Sequence, residues 1–257
     1  MIFNGIIRTG ENREYIQSHP VSTAFFADDN IDEFSTLLES GAKLDETVTF
    51  DRTILQESLV TRSTQYKEPE LIEKTKLLLE SGYDVNEKDD CGVTLLMYAS
   101  LDGMKEYTAA AVLSDQFDSP SKLTELFLSY GADVNAVDNF GHTALILAFA
   151  YKGGISQRHG IDVLNSPAML WPDGYSYLYP GPVFISTFHY DQIKSLIDAG
   201  ADIHAKDNRG FTARDYFEFA VEFSMNLNPK DDGEERVAYY QSQEYADLCK
   251  AVDELLT

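Results

Sequence analysis

Gly131-Ala132-Asp133-Val134-Asn135-Ala136-Val137-Asp138-Asn139-Phe140-Gly141-His142-Thr143-Ala144-Leu145 decides how the chain is read, because something close to it occurs four times. Gly82-Tyr83-Asp84-Val85-Asn86 runs into Asp89-Asp90-Cys91-Gly92-Val93-Thr94. Gly200-Ala201-Asp202-Ile203-His204 runs into Asp207-Asn208-Arg209-Gly210-Phe211-Thr212. A degenerate copy starts at Gly41-Ala42-Lys43-Leu44-Asp45 and reaches Thr53. In every copy the first Gly and the Thr stand 12 positions apart, and a fixed internal period of this kind marks a structural unit. The leading Gly follows an apolar run (Leu37-Leu38, Leu77-Leu78-Leu79, Leu126-Phe127-Leu128, Leu196-Ile197) and is placed to end a helix in a left-handed conformation. Asp-x-x-Gly, present in three copies at Asp89, Asp138 and Asp207, is the signature of a tight turn. The Thr fits an N-cap. Each unit is therefore a hairpin, an inner helix and an outer helix, and no unit can bury its apolar face alone.

This pattern strongly resembles the ankyrin-repeat family. The resemblance implies an all-α fold, an α-solenoid in which an ankyrin-repeat stack carries short hairpin fingers. It also implies partner contact through the fingertips and the inner-helix face. Mapped by position, the tips are Glu87, Lys88, Asp90, Val137, Asn139, Phe140, Lys206, Asn208 and Arg209. Phe140 stands out, because tips are normally polar; Asp89, Asp138 and Asp207 are assigned to the turn itself. The copies depart from the family's Thr-Pro-Leu-His. They read Thr94-Leu95-Leu96-Met97, Thr143-Ala144-Leu145-Ile146 and Thr212-Ala213-Arg214-Asp215. In the first finger Val48 replaces the turn Asp and Asp51 the turn Gly, which leaves that finger's shape open.

The chain is expected to form a single domain over 1–257. Residues 1–50 would hold an N-terminal cap and the degenerate first repeat, 51–210 the repeats with insertions, and 211–257 a terminal repeat with a capping helix at roughly 236–256. Finger length is constant, but the distance from Thr to the next Gly is not. It is 29, 37 and 57 positions for Thr53–Gly82, Thr94–Gly131 and Thr143–Gly200, against about 21 in a 33-residue ankyrin repeat. The insertions fall near 60–69, 102–120 and 153–189, all between an inner and an outer helix. Loops this long in a compact fold are usually functional or disordered. The third holds Trp171, Tyr175, Tyr177, Tyr179, Phe184 and Phe188, stiffened by Pro167, Pro172, Pro180 and Pro182. Tyr and Trp dominate interface hot spots. Trp171, Tyr175, Tyr177 and Tyr179 are thus candidate partner contacts, and rings packed on the fold's own edge are the competing reading.

The formal charge of −23 argues against nucleic acid or an anionic membrane surface as ligand and favours a basic protein partner or plain solubility. Two distant cysteines, Cys91 and Cys249, suggest no disulfide framework, so a reducing cytoplasm is expected. No segment approaches the ~20 apolar residues of a membrane span, and the N-terminus lacks a signal-peptide pattern. The acidic runs Asp84-Glu87-Asp89-Asp90 and Asp231-Asp232-Glu234-Glu235 match no calcium loop and are read as solvated faces. Of His19, His142, His159, His189 and His204, the second and last fall at repeat positions, and none completes a catalytic triad. No catalytic residue, metal ligand or cofactor is expected, and the free chain is expected to be a monomer. The expected function is a protein-binding scaffold that neutralises a partner, in its sharper form an immunity or inhibitor protein against a basic toxin or enzyme. A secreted effector or adaptor binding a cellular protein is the alternative, and an enzyme housed in the insertions is a third.

Overall fold

The structure is a computed structural model that describes residues 20–27, 31–44, 47–49, 52–61, 68–89, 91–100, 119–149, 190–225 and 234–257. These are mostly helical. In chain order they form α1 (Pro20–Phe25) and α2 (Ile31–Glu39), then β1 (Thr47–Thr49) and β2 (Arg52–Thr53), then α3 (Ile54–Thr61) and α4 (Glu68–Glu80). There follow α5 (Leu95–Ser100), α6 (Ser119–Ser129), α7 (Ala144–Phe149), α8 (Tyr190–Asp198), α9 (Ala213–Met225), α10 (Glu234–Tyr240) and α11 (Gln243–Leu255).

The helices lie in two rows. The first row is α3, α5, α7 and α9, each packed on the next; the second is α2, α4, α6, α8 and α11. Cross-row contacts join α1 to α2, α5 to α6 and α7 to α8. The apolar runs singled out in the sequence hold the rows together: Leu78, Phe127 and Leu196 are completely buried at equivalent places before the helix-ending Gly. At the end of α6, the Gly131 N–H donates to the Leu128 carbonyl (3.0 Å) and the Ala132 N–H to the Phe127 carbonyl (3.0 Å). This paired closure requires φ near +84° at Gly131, a region that costs any residue with a Cβ. The same bonds close α4 at Gly82 and α8 at Gly200.

Each finger then leads into an inner helix through its Thr. The Thr94 and Thr143 hydroxyls accept from the N–H groups of Met97 (3.3 Å) and Ile146 (3.2 Å), as N-caps do. Thr212 goes further, since its N–H and its hydroxyl both donate to the Asp215 carboxylate at 2.7 Å while the Asp215 N–H donates back to the Thr212 hydroxyl at 3.3 Å, a reciprocal cap. The first finger, which lacks Asp-x-x-Gly, differs from the others: its arms pair as true antiparallel strands, Thr47 opposite Thr53 and Thr49 opposite Arg52, with an irregular register between.

Two details close the ends. The Lys74 side chain, 2% exposed, reaches from α4 to the end of α1, where its ammonium donates to the carbonyls of Phe25 (3.0 Å) and Ala27 (2.6 Å) and pairs with Glu70 at 2.8 Å. It thus satisfies carbonyls that a short helix leaves bare. At the other end, the expected single capping helix over 236–256 is two helices, α10 and α11. Ser242 adopts an extended backbone (φ −78°, ψ 158°) and caps α11 by accepting from the Tyr245 N–H. The break lets Tyr240 and Tyr245 meet edge to face at 4.9 Å, which a continuous helix, with such residues a turn and a half apart, does not allow. Arg214 of α9 ties down the last turn, binding the Asp253 carboxylate at 2.6 Å and the Leu256 carbonyl at 3.0 Å.

Candidate functional site

The second, third and fourth fingertips are each built on one aspartate, buried at Asp138 and Asp207 and half-buried at Asp89. Asp138 is 5% exposed; its Oδ1 accepts from the N–H groups of Phe140 (2.9 Å) and His142 (2.8 Å). Asp89 does the same with Cys91 and Val93, and Asp207 with Arg209 and Phe211, all at 2.9 Å. The assignment of these aspartates to the turn therefore holds. The second oxygen of each also takes a donor. Tyr98 donates to Asp89 Oδ2 (2.5 Å), Tyr216 to Asp207 Oδ2 (2.7 Å), and His142 Nδ1 lies 2.9 Å from Asp138 Oδ2. Both tyrosines stand nine positions after their aspartate, where the third finger has Leu147, and His142 supplies the contact instead. Nδ1 must carry a proton to serve an ionised carboxylate. His142 is completely buried, with Nε2 4.0 Å from Asp207 Oδ2 in the next finger.

Neighbouring tips are laid directly on one another. The Asn139 N–H donates to the Cys91 carbonyl and the Asn208 N–H to the Phe140 carbonyl, both at 2.9 Å, and Asn208 Nδ2 donates to the Asn139 carbonyl at 3.0 Å. Approach is so close that a Cβ on Gly141 would stand 2.8 Å from the Asn208 nitrogen. At the finger bases, Asn86 Nδ2 donates to the Gly131 carbonyl (3.1 Å) while its oxygen accepts from the Asp133 N–H (2.7 Å). These amides were not singled out in the sequence, although their place, four after the leading Gly, could have revealed them.

Of the tip residues named in the sequence, Lys88, Asn139, Lys206, Asn208 and Arg209 are exposed, and Val137 is 46% exposed. Lys88 reaches into the third finger, its ammonium donating to the Val137 carbonyl at 3.0 Å. Arg209 lies over the Phe211 ring at 5.7 Å. Glu87 is half-buried and accepts from the Tyr83 hydroxyl at 2.5 Å. Phe140 departs from expectation: its ring is half-buried, 5.9 Å from the His142 ring, because the turn folds it back over the histidine. Asp90, Trp171, Tyr175, Tyr177 and Tyr179 lie outside the described residues, as do His19, His159 and His189. In the inner-helix row, all six residues of α5 and all six of α7 are buried, whereas α9 leaves Glu218, Glu222 and Met225 exposed. Beside α5 and α7 the tips are the accessible part of the expected surface.

Burial, first of all, and the Asp207 carboxylate push the Tyr216 phenol well above its ordinary value; burial and Glu87 do the same to Tyr83. Both stay neutral donors under ordinary conditions. Among the described residues, no grouping of His, Cys, Asp and Glu is placed to hold a metal ion, and no helix is long and apolar enough to cross a membrane. Cys91 and Cys249 are not disulfide-bonded; burial raises the thiol of Cys249.

No family model matches the chain. Over an alignment of 206 positions the chain is 25% identical to a putative palmitoyltransferase, ZDHHC13, of Danio rerio, and the alignment takes in 61% of this chain and 32% of that protein. The chain thus spans about a third of the length of the curated relative it matches.

Proposed function

We propose that the chain is a protein-binding scaffold of the ankyrin-repeat type, an α-solenoid whose partner contacts run along the fingertips. The observation that carries this reading is the division of labour within each finger. Asp89, Asp138 and Asp207 engage both carboxylate oxygens internally, which fixes the tip backbone. Val137, Lys206 and Arg209, on that fixed backbone, are exposed. A pre-organised backbone presenting interchangeable side chains lowers the entropic cost of recognition. The two rows of helices support the same reading, because a solenoid needs each unit to cover the next.

The net charge of −23 favours a basic partner, captured quickly because opposite fields steer the encounter. A neutralising role toward a basic toxin or enzyme fits that charge. Acyl transfer is not carried over from the relative, since the match takes in about a third of that protein.

The test is affinity capture from the source cells with the wild-type chain and with a Val137→Asp, Lys206→Glu, Arg209→Glu variant of unchanged melting temperature. The captured partner should be lost with the variant, and its association with the wild type should slow steeply with added salt. Equal capture by both proteins would sink the fingertip scaffold. A salt-independent association rate would remove the basic-partner arm.

A further inference from the structure

The exposed charges of the fourth fingertip, Lys206 and Arg209, have the opposite sign to the molecule around them, and the third fingertip exposes no charged side chain. Residues 136–141 and 205–210 contain two carboxylates, Asp138 and Asp207, and both are 5% exposed and bound to backbone N–H groups. The other charged residues of these tips are Lys206 and Arg209, both exposed. The next carboxylates along the chain, Asp133, Asp202 and Asp215, sit at the finger bases and accept from the N–H groups of Asn135, His204 and Thr212. A third cation joins from the second finger, since the Lys88 ammonium lies 3.0 Å from the Val137 carbonyl. Its sequence neighbour Glu87 is turned inward to Tyr83.

Lys88, Val137 and Lys206 each immediately precede the turn aspartate of their finger. Because the fingers lie directly on one another, these three form a row with a cation at each end and an exposed aliphatic side chain between. Val137 and Met225 are the large hydrophobic residues most exposed among those described, and only Val137 has cations on both sides in this way. Arg209, held over the Phe211 ring, adds a planar guanidinium suited to a carboxylate.

We propose that this row binds an extended acidic segment of the partner, with an aliphatic side chain on Val137 and carboxylates on Lys206, Arg209 and Lys88. The inference rests on the scaffold reading and names the chemistry its tips select. Long-range attraction brings a basic body toward the acidic molecule; the cationic tips then accept an acidic segment and so fix orientation, the use to which complementary charge is best suited.

The experiment titrates the full chain with an acetylated Glu-Glu-Leu-Glu-Glu peptide and, at equal ionic strength, with Lys-Lys-Leu-Lys-Lys, following backbone amide NMR. The acidic peptide should saturably shift Val137–Phe140 and Lys206–Arg209, and Lys206→Glu with Arg209→Glu should weaken it at least tenfold without moving the melting temperature. Lys206→Gln with Arg209→Gln serves as a second variant should charge reversal disturb the fold. The inference is overturned by shifts that avoid the tips, by the basic peptide binding there as well or better, or by variants that bind the acidic peptide unchanged. If the tip variant loses the native partner while the acidic peptide fails to bind, this inference falls and the scaffold reading stands. If the peptide binds and capture of the partner is untouched, the scaffold reading falls instead.

Discussion

Asn135 holds the fourth finger by both ends of its amide, donating to the Gly200 carbonyl at 3.0 Å and accepting from the Asp202 N–H at 2.8 Å. The pair reproduces with a side chain what two backbone strands exchange, and it repeats the Asn86 contact one finger earlier. Asn135→Ala should cost about 1–2 kcal/mol, two modest bonds at an exposed seam. The check is a lower urea midpoint with an unchanged slope; an unmoved midpoint would show that the seam contributes nothing.

Gly141 and Gly210 separate conformational strain from finger-to-finger contact. Both have positive φ, 82° and 91°. A Cβ at Gly141 meets the next finger at 2.8 Å, whereas a Cβ at Gly210 meets nothing within 4 Å. Gly210→Ala should therefore cost about 1–2 kcal/mol, the left-handed penalty alone. Gly141→Ala should cost that plus a further ~1–3 kcal/mol for overpacking. Equal losses in denaturant melts would refute the close seam.

Alkaline pH should unfold the chain cooperatively. Tyr83, Tyr216 and Tyr245 are buried, and burial is the largest reason their phenols are raised above 10.0. Because the folded state holds these protons more tightly, their stabilising contribution is complete below pH ~10 and is lost as pH rises beyond it. Each phenol adds about 1.4 kcal/mol per pH unit to the loss. The three should show tyrosinate absorbance only as the chain unfolds, and Tyr216→Phe should flatten the pH dependence by one phenol. Early, non-cooperative ionisation of all tyrosines would contradict the burial.

Lys74→Met should release α1 locally. It removes the ammonium from the carbonyls of Phe25 and Ala27 and leaves Glu70 without its 2.8 Å partner. Breaking such a buried pair costs about 3–5 kcal/mol. Hydrogen exchange should quicken first over 20–25, with the α5 and α7 amides still protected. Uniform protection across the chain would show that Lys74 is not the tether.

The local grammar of the chain was legible because it rests on backbone chemistry with few solutions. Gly131 had to end a helix, Asp138 had to serve a turn, and Thr143 had to start the next helix, and each does. The end of the chain was less legible. Val237 and Tyr240, and again Tyr245, Leu248 and Val252, keep helical spacing on either side of Ser242, so the runs read as one helix and only the five-residue step between the tyrosines marks the break that the serine cap creates. The burial of Phe140 was hidden for a similar reason: its place at the tip says exposed, and only the fold-back onto His142 says otherwise. Asn86 and Asn135 looked like ordinary loop residues, since their partners lie 45 to 67 positions away. Trp171 and the tyrosines after it remain expectations from composition.

The second oxygen of each turn aspartate has a wider consequence. In one finger it is served by Tyr98, in another by His142, in a third by Tyr216. The turn asks for a donor at a point in space, not for a residue at a place in the text. Lineages of such a chain are therefore free to swap spellings while the architecture stays put. A comparison keyed to letters meets two different words, a tyrosine nine places on or a histidine four places on, where the backbone repeats a single one.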